Sequence, residues 1–270
     1  MADRDAAFVG SIPEKYDRYL GPIYFHHYAD DLAARLPVAP NMRVLETACG
    51  TGILTQRLVR RLGGQGTVVA TDLNEPMIVY ARQKGFGDSA LEWRQADATK
   101  LPFEDTSFEA ALCQFGLMFF PDKIAGLREA FRVLKPGGRC LFSTWDSLEY
   151  NTIGKITHET VASFFPADPP QFYLVPFSLH DPTLIREWLD RVGFRSVECH
   201  TVDKVGVSPT AADAASGVIE GSPIYTAIME RRPEALDDIK ATVARNFTAK
   251  FGDHPMRCPL RAFIFSASRL

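Results

Sequence analysis

The residues whose types and spacing could do chemistry begin with the run Val44-Leu45-Glu46-Thr47-Ala48-Cys49-Gly50-Thr51-Gly52. An apolar stretch leads there into small residues at 48, 50 and 52. These let the backbone turn sharply and approach a ligand with no Cβ in the way. A helix starting behind such a turn points its free amides into the crevice. Twenty-six residues after Glu46, Asp72 ends the run Val69-Ala70-Thr71-Asp72-Leu73-Asn74. A carboxylate there can accept both hydroxyls of a ribose, or it can cap the helix that follows, as Asn74 can. Gln95-Ala96-Asp97-Ala98 offers an acidic group to an amine such as that of adenine, unless Asp97 is only a turn residue. Cys113-Gln114-Phe115-Gly116-Leu117-Met118-Phe119-Phe120 sets one bare glycine among aromatics, and Leu134-Lys135-Pro136-Gly137-Gly138 completes the series.

These groups must be held by alternating elements. Strand-like runs at 43–46, 67–71, 91–95, 108–113 and 138–143 alternate with helical patterns at 54–62, 74–84 and 123–134. That alternation predicts an α/β fold, a doubly wound parallel sheet covered on both faces. Ahead of it, 14–20 and 22–36 read as two short helices broken at Gly21-Pro22, rich in Tyr and Phe. Residues 150–180 carry four prolines among aromatics and predict a helical excursion with an irregular return. A helix at 183–192, a strand from 194 to about 205, a mostly helical 211–251 and a last strand at 261–266 follow. The chain reads as a single domain, 1–270. It has a helical lid at 1–40, a core at 41–146, and helical insertions at 147–182 and 208–256 around a second site.

The ordered set of five motifs resembles the class I S-adenosylmethionine-dependent methyltransferases, particularly the small-molecule enzymes of the ubiquinone/menaquinone-biosynthesis type. The motifs span 44–145, and the Arg191-Val192-Gly193-Phe194 turn with the final strand extends the likeness to most of the chain. The resemblance implies seven strands, mostly parallel with the last antiparallel, and S-adenosylmethionine as cofactor, released as S-adenosylhomocysteine. It implies that Glu46 and the loop Ala48, Cys49, Gly50 and Gly52 hold the methionine end, and that Asp72 takes the ribose. Leu73 and Met77 would pack on the adenine, with Asp97 and Ala98 at its edge. Gln114 and Phe115 would lie beside the sulfonium, where aromatic faces favour a cation. Tyr16 would close over it from the lid, unless it is a core residue. One departure is Ala48, where the pattern has glycine. The third glycine of a dinucleotide loop is also missing, since Thr55 stands beyond Gly52, so an NAD-dependent oxidoreductase is the poorer reading.

On the acceptor side, Tyr24, Phe119, Trp145, Asn151 and the 150–180 excursion predict walls for an apolar or aromatic small molecule. No paired carboxylates, triad or metal-ligand spacing names a catalytic base or a metal. Alignment of nucleophile, methyl carbon and sulfur is the chemistry expected of the protein. His26, His27, His158 and His180 fall in lid segments, where a lone histidine is more often structural. A binding module without transfer activity is the alternative, and the long aromatic acceptor segments favour an enzyme. Composition narrows the class further. The 270 residues are 46% hydrophobic and 23% charged, with 30 Lys plus Arg against 33 Asp plus Glu. That balance excludes a basic nucleic-acid binder. The charged start and the lack of about 20 consecutive apolar residues predict a cytoplasmic chain with no membrane span, as a monomer or homodimer. Cys49, Cys113, Cys140, Cys199 and Cys258 are scattered, without a C-x-x-C pair, and predict free thiols in a reducing compartment.

Overall fold

The strand-like runs come together as one seven-stranded sheet in a computed structural model that describes Phe8, Gly10, 12–86 and 90–270. Residues 1–7, 9, 11 and 87–89, including the first part of the expected lid, lie outside the described residues. The strands are β1 (Met42–Glu46), β2 (Gly66–Asp72), β3 (Leu91–Gln95), β4 (Phe108–Gln114), β5 (Leu134–Trp145), β6 (Arg195–Ser208) and β7 (Met256–Ser268). Their order is β3-β2-β1-β4-β5-β7-β6. Pairs from β3 through β5 are parallel, and β7 runs antiparallel to both β5 and β6. The central strands carry apolar residues on both faces because successive side chains face opposite layers. Leu45, Val69 and Ala111 join one core, while Val44, Val68, Ala110 and Leu112 join the other. Strand order reverses between β1 and β4, which opens a crevice at their carboxyl ends.

The helices are α1 (Ile12–Lys15), α2 (His26–Ala34), α3 (Ile53–Leu62), α4 (Glu75–Gln83), α5 (Lys123–Val133), α6 (Thr152–Phe164), α7 (Pro182–Val192), α8 (Ala211–Glu220), α9 (Ile224–Arg231) and α10 (Leu236–Phe251). None of the described helices is long and apolar enough to cross a membrane. Core helices stop where the sequence allows: α7 closes on Gly193 at φ 115°, a conformation glycine adopts without strain.

Three elements differ from their sequence pattern. The expected break at Gly21-Pro22 is absent, and the chain stays helical from α1 into α2 through a π-helical segment, Tyr16–Phe25. The amide of His26 reaches back five residues to Gly21 O. The wider turns keep Pro22, which has no N–H to donate, inside a continuous helix. Strand β7 begins five residues before the expected 261, because Pro259 is tolerated where β6 is its only neighbour. Finally, the turn expected at Lys135–Gly138 lies inside β5 as an irregularity in its register with β4.

Side-chain bonds fasten the π segment and the start of α2 to the core. Tyr28 at the start of α2 donates its hydroxyl to Val202 O at 3.1 Å. Nearer the crevice, Asp17 Oδ1 accepts from Thr51 Oγ1 at 2.8 Å and from Lys84 Nζ at 2.6 Å, and Lys84 also donates to Thr51 O. This latch joins the segment to the loop behind β1. Asp17→Ala removes both bonds from a partly exposed cluster, a loss of about 1 kcal/mol. Amide hydrogen exchange over 16–25 should then quicken several-fold while 108–113 stays unchanged. Identical exchange in both proteins would show that the latch contributes nothing.

Candidate active site

The loop behind β1 is pinned on both sides. Thr47 donates its amide to Leu112 O on β4, and Cys49 donates to Thr71 O on β2, each at 2.9 Å. Between those anchors and just beyond them the backbone turns left-handed at Ala48 (φ 52°), Gly50 (φ 55°) and Gly52 (φ 77°). The glycines adopt this freely, whereas Ala48 carries a cost of about 1 kcal/mol. The two glycines have different reasons. A Cβ on Gly50 would meet nothing within 4 Å, because that position opens on a cavity. A Cβ on Gly52 would strike the rings of Phe86 and Trp93.

Asp72 ends β2 at 7% exposure. Its Oδ2 accepts from Gly50 N and its Oδ1 from Asn74 N, both at 2.8 Å. Burial raises its pKa, while the Asn74 and Gly50 amides pull the other way. Helix entry and loop clasp are thus served by one carboxylate, each of whose oxygens can accept more than one bond.

The cavity beside this clasp measures about 740 Å³ including its open mouth. It brings together Tyr16, Ala48, Gly50, Asp72, Leu73 and Met77 with Asp97, Ala98, Gln114 and Phe115. Leu73 presents an apolar surface there, 52% exposed. Asp97 Oδ1 accepts from the Thr99 amide and hydroxyl, so it also shapes its own turn. Gln114 Nε2 donates to Phe25 O at 2.9 Å, while its Oε1 is buried with no partner among the described residues. Glu46, Cys49 and Gly52 do not line this cavity. Cys49 packs with Ala70 and Ile78 on the opposite side of the loop. Glu46 is 1% exposed, and burial pushes its carboxyl up to about 8 against the opposing pull of Thr55.

A second cavity, about 520 Å³, lies directly behind the first. Phe8, Tyr16, Phe115 and Phe119 line both and form the wall between them. Phe115 stands at φ 53° and stacks on Trp145 at 3.8 Å. Tyr24 packs edge-on to Trp145 at 5.5 Å. Asn151 does not reach this cavity. Its amide is spent on the fold: Nδ2 donates to Asp146, Ser147 and Arg261 carbonyls, and Oδ1 accepts from Arg261 N. Phe25, Phe172, Tyr173, Phe177 and Ser222 also line it. The aromatic, proline-rich stretch 150–180 signals Phe172, Tyr173 and Phe177, but without a period it does not say which side chains turn inward. None of His26, His27, His158 and His180 lines either cavity. Among the described residues no group of His, Cys, Asp or Glu is arranged to hold a metal ion.

A doubly wound sheet with a cavity at its switch point, clasped by a glycine turn and a strand-end carboxylate, defines a protein of the nucleoside-cofactor-binding α/β class. A methyltransferase-domain family model matches residues 45–142. The ubiquinone/menaquinone biosynthesis C-methyltransferase of Idiomarina loihiensis is 33% identical over 178 residues, covering 60% of this chain and 69% of that protein. The demethylmenaquinone methyltransferase of Lactiplantibacillus plantarum is 36% identical over 135 residues, 48% of this chain and 57% of that protein. Among solved structures, the phosphoethanolamine N-methyltransferase 2 of Haemonchus contortus, in complex with S-adenosylhomocysteine, superposes with a TM-score of 0.61 at 17% identity. It covers 95% of this chain and 56% of its own. The chain belongs to the class I S-adenosylmethionine-dependent methyltransferases, and it transfers methyl groups to a small molecule.

Two tests bear on the loop. A Cβ on Gly116 would collide with the Ala48 methyl and lie 2.7 Å from Cys113 Sγ. Gly116→Ala should cost about 1–3 kcal/mol in denaturant unfolding, and adding Ala48→Gly should restore part of it. No coupling between the two would mean that the loop moves aside. The second concerns Glu46. An unfolded chain ionises this carboxyl near 4.3, but the fold keeps it protonated up to about 8. The native state therefore holds the extra proton between those values, and stability falls as pH rises through them. The loss from pH 5 to pH 8 should be on the order of a few kcal/mol, and Glu46→Gln should remove it. An unaltered pH profile of the melting temperature would contradict this.

Proposed function

We propose that the first cavity holds S-adenosylmethionine and the second an apolar, ring-containing acceptor, with methyl transfer where the two cavities meet beside the aromatic residues they share. That shared wall of Tyr16, Phe115 and Phe119 is the observation that carries the reading. The fit of the cofactor rests on Gly50, where the absent side chain leaves room, and on Asp72 beside it. When bound, the cofactor supplies a methyl group on a sulfonium that is already a good leaving group. In this reading Asp72 accepts the ribose hydroxyls, Leu73 and Met77 flank the adenine, and Asp97 with Ala98 meets its edge. The loop amides and Gln114 Oε1 face the methionyl end, while Glu46, Cys49 and Gly52 support the loop from behind. The rings of Tyr16 and Phe115 favour the cationic centre.

The residues' contribution to the reaction is positioning and exclusion of water. Among the described residues, the second cavity is lined by no carboxylate, imidazole or amine. A nucleophile that must lose a proton therefore enters already acidic, or releases it to solvent. The names of the relatives, which carry ubiquinone, menaquinone and demethylmenaquinone, support a quinone-type ring as acceptor. Residues 1–40 serve as lid, 41–146 as core, and 147–182 with 208–256 as acceptor walls, in a cytoplasmic monomer or homodimer.

Methyl-labelled S-adenosylmethionine incubated with a panel of naphthols and hydroquinones should pass label to at least one ring. Label on none, with S-adenosylhomocysteine binding intact, would overturn the acceptor assignment. Asp72→Ala removes a charged acceptor worth about 1.5–3 kcal/mol. Calorimetric affinity for S-adenosylhomocysteine should fall by roughly one to two decades. An unchanged dissociation constant would leave Asp72 only its helix-entry role.

A further inference from the structure

Three hydroxyl-bearing side chains of the inner cavity, besides Tyr16 on the shared wall, differ in what the fold asks of them. Tyr173 donates to Val218 O at 2.6 Å, and Ser222 donates to the same carbonyl at 2.9 Å. Both are spent. Tyr24 is 6% exposed, held by Trp145 and Phe25, and its hydroxyl is buried with no hydrogen-bond partner among the described residues. A buried hydroxyl left unpaired is costly, and folds rarely tolerate one without a reason. Here the hydroxyl belongs to a side chain lining a cavity that is otherwise almost wholly aromatic and aliphatic.

We propose that Tyr24 is the specificity-determining residue of the acceptor site: its hydroxyl donates to an oxygen, hydroxyl or carbonyl, carried by the acceptor ring. The inference rests on the reading of the second cavity as the acceptor site. Stacking walls accept any flat apolar ring of suitable size and discriminate weakly between them. One buried donor changes that, because a ring lacking the oxygen leaves the donor unpaired while a ring bearing it completes the site. Burial also raises the Tyr24 pKa well above that of an ordinary phenol. It therefore stays a donor through the neutral range and takes no proton from the acceptor. The substrate class that follows is an oxygenated ring, a phenol, naphthol or quinone, in place of a bare hydrocarbon or prenyl chain.

Equilibrium dialysis with saturating S-adenosylhomocysteine tests this without turnover, using 2-naphthol and naphthalene as probes of equal ring shape. The wild-type chain should hold 2-naphthol roughly tenfold more tightly. In Tyr24→Phe the two probes should bind within about twofold, with naphthalene no weaker than before. The melting temperature of Tyr24→Phe should not fall, since the lost hydroxyl has no partner in the fold. Tyr173→Phe is the contrast: it should lower the melting temperature and keep the discrimination. Equal binding of both probes to the wild type, discrimination that survives in Tyr24→Phe, or a clear loss of stability in that variant overturns the role of Tyr24 alone. Binding of neither probe to the wild type overturns the acceptor cavity and this inference together.

Discussion

The bond from the Gly50 amide to the Asp72 carboxylate, 2.8 Å long, is the contact on which the site depends. It ties the turn behind β1 to the end of β2, across the neighbouring strands that bound one side of the switch point. Thr47 and Cys49 anchor the same turn to β4 and β2, so three short bonds hold its shape. The left-handed Ala48 and Gly50 can sit at the cavity edge only because the ends of the turn cannot drift. Ala48 in turn occupies the space that Gly116, on the far side, leaves free.

From that anchor the two cavities diverge in character. The outer one keeps the carboxylates, the loop backbone and the Gln114 amide. The inner one is built from rings, with Phe115 as the hinge of the partition. Phe115 takes a backbone angle that bulky residues seldom adopt, and Ser143 holds it there by receiving its amide on both carbonyl and hydroxyl. Strain of this kind persists where the surroundings over-determine it. Here the compensation is the flat stack on Trp145. A ring standing edge to both chambers is thereby fixed in place before any ligand enters.

The sheet was legible because its core strands are apolar on both faces and bounded by glycine or charge. The outer cavity was legible because its residues sit at strand ends, where topology dictates direction. What escaped has physical reasons. Pro259 masks the start of β7, since a proline argues against a strand unless one side of it is open. Pro22 reads as a break because α-helical geometry forbids it, and only wider winding admits it. Glu46 and Cys49 share the loop's sequence but face away, and alternation through an irregular turn cannot be read from residue types. Asn151 reads as a polar group beside Trp145, yet its amide is consumed by four backbone partners that tie the end of β5 to β7. The inner aromatic box draws on four separated segments, whose convergence no local pattern reveals.

The winding of Tyr16–Phe25 has a further meaning. Phe25 lies nine positions after Tyr16, which is two and a half turns of an α-helix. In that winding the two rings would leave opposite sides of the rod. They are instead stacked 4.6 Å apart and 16° from parallel. The looser coil therefore sets the angular phase of this segment, bringing both rings to one side, where they line the inner cavity. Pro22, which reads as a flaw in the helix, is what makes the tighter winding unavailable and keeps that phase.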